Sequence, residues 1–122
     1  MEKYIHESGE DYIEAILRIH ERKGYVRSVD IAETLGVTKP SVSRAVKLLA
    51  GKGLIDITPA GITLTDKGQE LAEAVFSKHK LIRKFFTDIL GVSDKTAEAD
   101  ACRVEHALSE ETYVKLKEFI ER

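Results

Sequence analysis

Residues 28–53, SVDIAETLGVTKPSVSRAVKLLAGKG, restrict the fold of this chain most strongly. Ser28 is placed to cap a short helix that Gly36 ends. Thr38 is placed to cap a second helix, with Pro40 in its first turn, where a missing N–H costs little. Two short helices joined by a tight glycine-containing turn are typical of a helix-turn-helix unit.

The next segment, residues 54–65, predicts a β-hairpin. Its apolar residues alternate with polar ones on both sides of the sequence Pro59-Ala60-Gly61, which predicts a three-residue turn. We place the end of the preceding helix at Gly51 and Gly53; its apolar positions are Val42, Val46, Leu48 and Leu49. The order helix, turn, helix, hairpin is that of a winged helix-turn-helix.

Helical patterns flank this unit on both sides. One helix begins near Gly9, with Ser8 as its cap, and ends at Gly24. After the hairpin we expect a long helix from about Asp66 to Leu90, then helices over about 94–107 and 109–121, the last capped by Ser109.

The predicted fold class is therefore mainly α. An N-terminal winged helix-turn-helix with a small β-hairpin wing, residues 1–65, precedes a helical domain, residues 66–122.

Composition limits the class of protein further. The chain is 43% hydrophobic, which is enough apolar material for a core. It contains no apolar run of transmembrane length and no apolar signal-peptide segment at its start, so we expect no membrane association. The single cysteine, Cys102, cannot form an internal disulfide, which favours a cytoplasmic location.

Charge is segregated along the chain although the net charge is only −2. Residues 37–54 carry four bases and no acid, whereas residues 93–112 carry six acids and two bases. A basic segment and an acidic segment on one small protein suggest two different partners.

The basic segment favours double-stranded DNA as one partner. Arg44 is the best candidate for reading bases, because a guanidinium group can address guanine O6 and N7 together. The full set of candidate DNA-binding residues is Thr38, Lys39, Pro40, Ser41, Ser43, Arg44 and Lys47. The plainer alternative is a helical hairpin with a solvated basic face.

The acidic segment contains a candidate metal site. Cys102, Glu105 and His106 share one face of a helix. A lone cysteine is usually a small core residue, and a Glu-His pair is usually a solvated edge, so further ligands are needed. Candidates elsewhere are Asp11, Glu14 and His79. Carboxylates with imidazoles favour Mn²⁺ or Fe²⁺, and a thiolate shifts the preference towards Fe²⁺, Zn²⁺ or Co²⁺.

Several segments, in this order, resemble the metal-dependent repressors of the diphtheria-toxin-repressor family, and the manganese-transport-regulator branch most closely. They are EDYIEAI, DIAETLGVTKPSVSRAVKLLAGKGLI, LTDKGQELA, KHKLIRKFFTDILGV and EADACRVEHALSEE. The resemblance implies a homodimeric repressor of metal-uptake genes, in which residues 66–122 form the helical metal-binding and dimerisation domain. It also implies that a divalent metal ion makes the dimer competent for palindromic operators.

Matched residue by residue, the chain is a hybrid of two branches. Asp11 and Glu14 match first-helix carboxylates of the manganese branch, whereas Cys102 occupies a position that is cysteine in the iron branch and glutamate in manganese regulators. His79, Glu105 and His106 match ligands of the family. At the ancillary site of the iron branch this chain has Arg83 and Glu98, of which Glu98 is a possible additional ligand. The iron branch also has a C-terminal SH3-like domain, which we do not expect in this protein because the manganese branch lacks it.

Dimer contacts are expected from the long helix, through Phe76, Leu81, Phe85, Phe86, Ile89 and Leu90. Three other functions stay open. A metal-independent winged-helix regulator would sense a small organic ligand. A metalloenzyme using Cys102, Glu105 and His106 has no evident general base or substrate-binding loop, so we expect no enzymatic activity. A zinc-structured domain usually needs more cysteines.

Overall fold

The computed structural model describes residues 9–122 and divides them into two compact units, the first closing at Ala74 and the second starting at Val75. The elements in chain order are α1 (Gly9–Lys23), α2 (Ser28–Leu35), α3 (Lys39–Gly51), β1 (Ile55–Thr58), β2 (Gly61–Leu64), α4 (Asp66–Lys84), a π-helical turn (Phe85–Ile89), α5 (Asp94–Ala107) and α6 (Glu110–Ile120). The predicted mainly α fold with one hairpin is confirmed. The domain boundary at residues 65 and 66 stays a prediction.

In the first unit, α1, α2 and α3 enclose an apolar core. Ile13 and Ile16 of α1, Ile31 of α2 and Val42 of α3 are all buried. Leu48 was expected on the apolar face of α3, but its side chain is 61% exposed, so that expectation is wrong. Val46 and Leu49 are buried as predicted.

The turn between α2 and α3 has the predicted form. Gly36 has a φ of 68°, a left-handed conformation that glycine adopts without steric cost. Thr38 caps α3, since its hydroxyl oxygen accepts a hydrogen bond from the Ser41 N–H at 3.3 Å. Pro40 lies in the first turn of α3, as predicted.

The predicted cap of α2 is wrong by one residue. Ser28 is the first helical residue, and Arg27 occupies the N-cap position. The helix start is held instead by Asp30, whose carboxylate accepts the Arg27 N–H at 3.0 Å. The cap predicted at Ser8 lies outside the described residues.

The hairpin pairs Ile57 with Ile62 and Thr58 with Gly61. Only Pro59 and Ala60 lie between the paired ends, so the expected three-residue turn is a two-residue turn. The hairpin is joined to the segment after α1, because Ile62 N–H donates to the Val26 carbonyl at 2.8 Å.

The second unit contains the end of α4 together with α5 and α6. The long helix predicted to Leu90 changes character at Phe85, where the last turn widens into a π-helix and Leu90 N–H donates to the Phe85 carbonyl. Gly91 follows with a φ of 73°. Helices α5 and α6 match their predicted spans closely, and Ser109 caps α6 as predicted.

Candidate metal centre and nucleic-acid interface

The predicted DNA-binding residues lie on the solvent-facing side of α3 and its N-terminus. Six of the seven are exposed and Ser41 is half-buried. The Arg44 guanidinium donates to the Ser41 hydroxyl oxygen at 3.3 Å, which links the central base to the capped first turn. Helix α3 contains no acidic residue. This side of α3 is therefore a basic surface, and side-chain hydrogen bonds hold its first turn in place.

A shallow groove of about 270 Å³ accompanies this basic surface. It is lined by Tyr12, Ser41, Arg44, Ala45 and Leu48. Leu48 lies one helical turn after Arg44, which is the signal that could have placed it on the same exposed side. An exposed leucine beside the candidate base-reading arginine adds an apolar contact that sequence reasoning missed.

Both candidate carboxylates of α1 are buried in the folded chain. Asp11 is 3% exposed and Glu14 is 4% exposed. Arg18, one turn along the helix, brings its guanidinium to 4.0 Å from Glu14. Aspartate and glutamate are rarely this buried unless a cation or a hydrogen-bond network compensates for the lost hydration. The burial of these two acids therefore agrees with a ligand role better than with simple compensation of the helix dipole.

In the second unit, α4 and α5 bring three predicted ligands together. His79 is fully buried and Glu105 is 1% exposed. His79 Nδ1 lies 3.0 Å from Glu105 Oε2, and His106 Nε2 lies 3.3 Å from Glu105 Oε1. Glu105 thus has an imidazole nitrogen beside each of its oxygens.

The contacts of Glu105 suit a metal ion. Within the described residues, neither of its oxygens accepts a hydrogen bond, although the two imidazoles lie within ion-pair distance. A buried carboxylate without hydrogen-bond donors is costly unless a cation neutralises it. Carboxylate and imidazole donors are those that Mn²⁺ and Fe²⁺ accept in proteins. The residues present therefore fit a divalent metal ion.

Cys102 and Glu98 lie on the same helix, α5, as Glu105. Cys102 is half-buried and lies one helical turn before His106. Glu98 Oε2 lies 2.5 Å from His79 Nε2, and its other oxygen accepts a hydrogen bond from Arg83 at 2.9 Å. The pairing of Arg83 with Glu98 was not predicted from the sequence, in which Arg83 is a departure from the family pattern, although Arg83 follows His79 by one helical turn.

The fold and these clusters define a class of protein: a winged-helix DNA-binding unit followed by a helical unit with a buried carboxylate–imidazole cluster. Residues 5–61 match the sequence model of the iron dependent repressor N-terminal DNA binding domain, and residues 65–122 match that of the iron dependent repressor metal binding and dimerisation domain. The chain belongs to the iron-dependent repressor family. The resemblance to metal-dependent repressors is thereby confirmed.

Proteins similar to this chain include two transcriptional regulators and a manganese regulator of known structure. An uncharacterised HTH-type transcriptional regulator of Methanocaldococcus jannaschii is 40% identical over 95% of this chain and 94% of its own length. The transcriptional regulator MntR of Escherichia coli is 40% identical over 84% of this chain and 66% of its own length. The structure of the manganese regulator SloR superposes with a TM-score of 0.82 at 33% identity, covering 93% of this chain and 54% of that one. The chain thus spans about two thirds of the E. coli relative and about half of SloR.

The length and hydropathy of the helices bear on whether any of them could cross a membrane. Across residues 9–122, the helices are too short or too polar to cross a membrane.

Proposed function

We propose that this protein is a transcriptional repressor of metal-uptake genes that binds palindromic operator DNA as a homodimer when Mn²⁺ or Fe²⁺ is bound. The observation that carries the proposal is the cluster of buried His79 and Glu105 with half-buried His106, in the part of the chain that matches a metal binding and dimerisation domain. Residues 1–65 are assigned to DNA binding and residues 66–122 to metal binding and dimerisation.

The proposed metal ligands are Asp11, Glu14, His79, Cys102, Glu105 and His106. Burial of Asp11, Glu14, His79 and Glu105 supports the assignment, because buried ionisable groups need a compensating charge. When bound, a divalent ion supplies that positive charge. The mixture of carboxylates, imidazoles and one thiol suits Mn²⁺ or Fe²⁺, with Zn²⁺ or Co²⁺ able to substitute. The likeness to the manganese regulator SloR, at 33% identity, supports the same choice.

The proposed roles on α3 follow from side-chain chemistry. Arg44 addresses guanine in the major groove, and exposed Leu48 on the same side suits a thymine methyl group. Thr38, Lys39, Ser41, Ser43 and Lys47 contact phosphates and fix the register of the helix, and Pro40 shapes its first turn. The wing has few bases, so it contributes shape more than charge.

Coupling of metal to DNA follows from the ligand assignment. The α1 ligands belong to the first unit, and the α4 and α5 ligands belong to the second. Without a cation, the assigned carboxylates repel one another and favour many arrangements of the chain. With the charge neutralised, one arrangement is favoured, in which the recognition helices of a dimer are spaced about 34 Å apart, one turn of B-DNA.

The proposal also includes the cellular location of the protein and its lack of catalytic activity. We place the protein in the cytoplasm, where its DNA target lies and where its single thiol stays reduced. We assign it no catalytic activity, because membership of a family of transcriptional regulators accounts for its buried cluster without a reaction.

The experiment that tests the function is DNA binding by fluorescence anisotropy, in chelator and then with Mn²⁺, anaerobic Fe²⁺, Co²⁺ or Zn²⁺. Selection from genomic fragments supplies the operator. We expect tight binding only with metal, and we expect Glu105→Gln to lose the metal response. The matched control is Glu118→Gln, which removes an exposed acid of α6. Binding that ignores the chelator would contradict the proposal and favour a metal-independent regulator.

A further inference from the structure

A continuous row of polar contacts in the second unit extends beyond the residues assigned as ligands. It starts at Arg83, passes through Glu98, His79 and Glu105, and ends at His106. His79 and Arg83 are one turn apart on α4, and Glu98 and Glu105 are two turns apart on α5. This spacing puts His79 and Arg83 on the side of α4 that faces α5, and the two glutamates on the side of α5 that faces α4.

The two carboxylates beside His79 differ in charge compensation. Glu98 is 38% exposed at its side chain and has the Arg83 guanidinium at 2.9 Å, so its negative charge is already matched. Glu105 is buried and accepts no hydrogen bond from the described residues. A metal ion on the Nδ1 side of the His79 ring would compensate the charge of Glu105, whereas Arg83 already compensates the charge of Glu98 on the Nε2 side.

A neutral imidazole carries one N–H and one lone pair, and only the lone pair binds a metal ion. The short Nε2–Glu98 contact is the better place for the N–H, because Arg83 holds that carboxylate as an acceptor. The Nδ1 lone pair then faces Glu105. A carboxylate that accepts the far N–H of a ligand histidine fixes the orientation and tautomer of the ring.

We propose that Arg83 and Glu98 are positioning residues, which hold His79 with its proton on Nε2 and so present Nδ1 to the metal ion. Glu98 acts from outside the ligand set. Arg83 supplies the charge that would otherwise make Glu98 a competing site for a second cation. The inference about affinity rests on the proposed metal site, whereas the inference about the tautomer concerns the metal-free protein.

The first test reads the tautomer directly, without metal or DNA. Long-range ¹H–¹⁵N spectra of histidine-labelled, metal-free protein are recorded well above pH 6.5, about the ordinary pKa of histidine. The His79 signals are assigned by their loss in His79→Gln. We expect a single form protonated on Nε2, a mixture in Arg83→Ala, and the original form in Arg83→Lys. Protonation on Nδ1, a doubly protonated ring, or an unchanged spectrum in Arg83→Ala would overturn the proposal.

The second test measures Mn²⁺ affinity by calorimetry. Glu98→Ala and Arg83→Ala should each weaken binding by about 10- to 100-fold, with the number of bound ions unchanged. The matched control is Lys84→Ala, which removes a neighbouring exposed cation that lines the same surface groove. A lost ion in Glu98→Ala, or an equal loss in Lys84→Ala, would contradict a positioning role. If metal fails to gate DNA binding while the Nε2–H form is found, the proposed function fails and the tautomer assignment stands.

Discussion

At the scale of single residues, Asp30 joins the end of α1 to the start of α2. Its carboxylate accepts hydrogen bonds from Lys23 Nζ at 2.7 Å and from Arg27 N–H at 3.0 Å. The Lys23 ammonium and the Arg27 N–H hold the pKa of Asp30 below its ordinary value of 3.8. The same hydrogen bond raises the pKa of Lys23. The charged form of Asp30 is therefore favoured by the fold.

Removing the negative charge of Asp30 should destabilise the protein only at pH values at which Asp30 is ionised. Asp30→Asn should lower the free energy of unfolding at neutral pH by about 1 kcal/mol, the scale of a hydrogen bond to a buried acceptor. Because the folded-state pKa lies below 3.8, the contribution is present above that pH and disappears as the pH falls through the folded value.

Denaturant titrations of both proteins across the acid range measure this effect. Asp56→Asn, at an exposed position on β1, is the matched control. A difference between Asp30→Asn and the original protein that persisted undiminished in strong acid would contradict the assignment.

The candidate ligands show what sequence can and cannot predict at this scale. Helical spacing selected Glu105 and His106, and residue type together with the family resemblance selected His79. The structure brings these three residues together. Their burial, and the pairing of Glu98 with Arg83, depend on how α4 lies against α5. Contacts between helices distant in sequence leave no local signal.

At the scale of elements, the start and end of most helices followed from capping residues and glycines, because those interactions are local. At two exceptions, a different interaction determines where the helix or the turn begins. Asp30 moved the cap of α2 to Arg27, and strand pairing reduced the hairpin turn to two residues. The π-helical turn after Lys84 has no comparable sequence signal.

The close approach of α4 to Leu54, the residue before β1, depends on Gly68. A Cβ added at Gly68 would lie 1.9 Å from the Leu54 carbonyl oxygen, which is backbone and cannot rotate away. Gly68→Ala should therefore destabilise the protein by about 1–3 kcal/mol through overpacking. Gly51→Ala, in a helix with open space around it, should be neutral or stabilising.

Thermal and denaturant unfolding of the two alanine variants tests this comparison. Equal stabilities would show that α4 does not approach Leu54 as closely as the structure indicates.

Helix α3 should divide its DNA contacts between specificity and affinity. Arg44→Ala should cost about 1–3 kcal/mol on the operator and reduce its preference over random DNA. Lys47→Ala should weaken operator and random DNA equally and reduce the salt dependence, because phosphate contacts carry no sequence information. Anisotropy titrations against both DNAs at several salt concentrations separate the two effects. Retained specificity in Arg44→Ala would exclude α3 as the base-reading element.

At the scale of the whole molecule, exposed apolar residues of the second unit support a dimer. Ile89 and Leu90, two of the six residues expected at the interface, are 46% and 58% exposed. Sedimentation equilibrium should give twice the chain mass of 13.6 kDa. Leu90→Glu should shift the mass towards a single chain, since it buries a charge in an apolar contact.

The control for the dimer is Ile57→Glu, which changes an equally exposed apolar residue of the hairpin. A mass of one chain for the original protein, or equal dissociation by both variants, would contradict a dimer formed through the second unit.

The central claim is that metal and operator bind to the same arrangement of the molecule, and thermodynamic linkage tests it most directly. Mn²⁺ is titrated calorimetrically into the protein alone and into the protein saturated with operator. The account predicts that operator tightens Mn²⁺ binding by the factor by which Mn²⁺ tightens operator binding. Identical Mn²⁺ affinities with and without operator would show that the two sites are uncoupled, and would contradict the account.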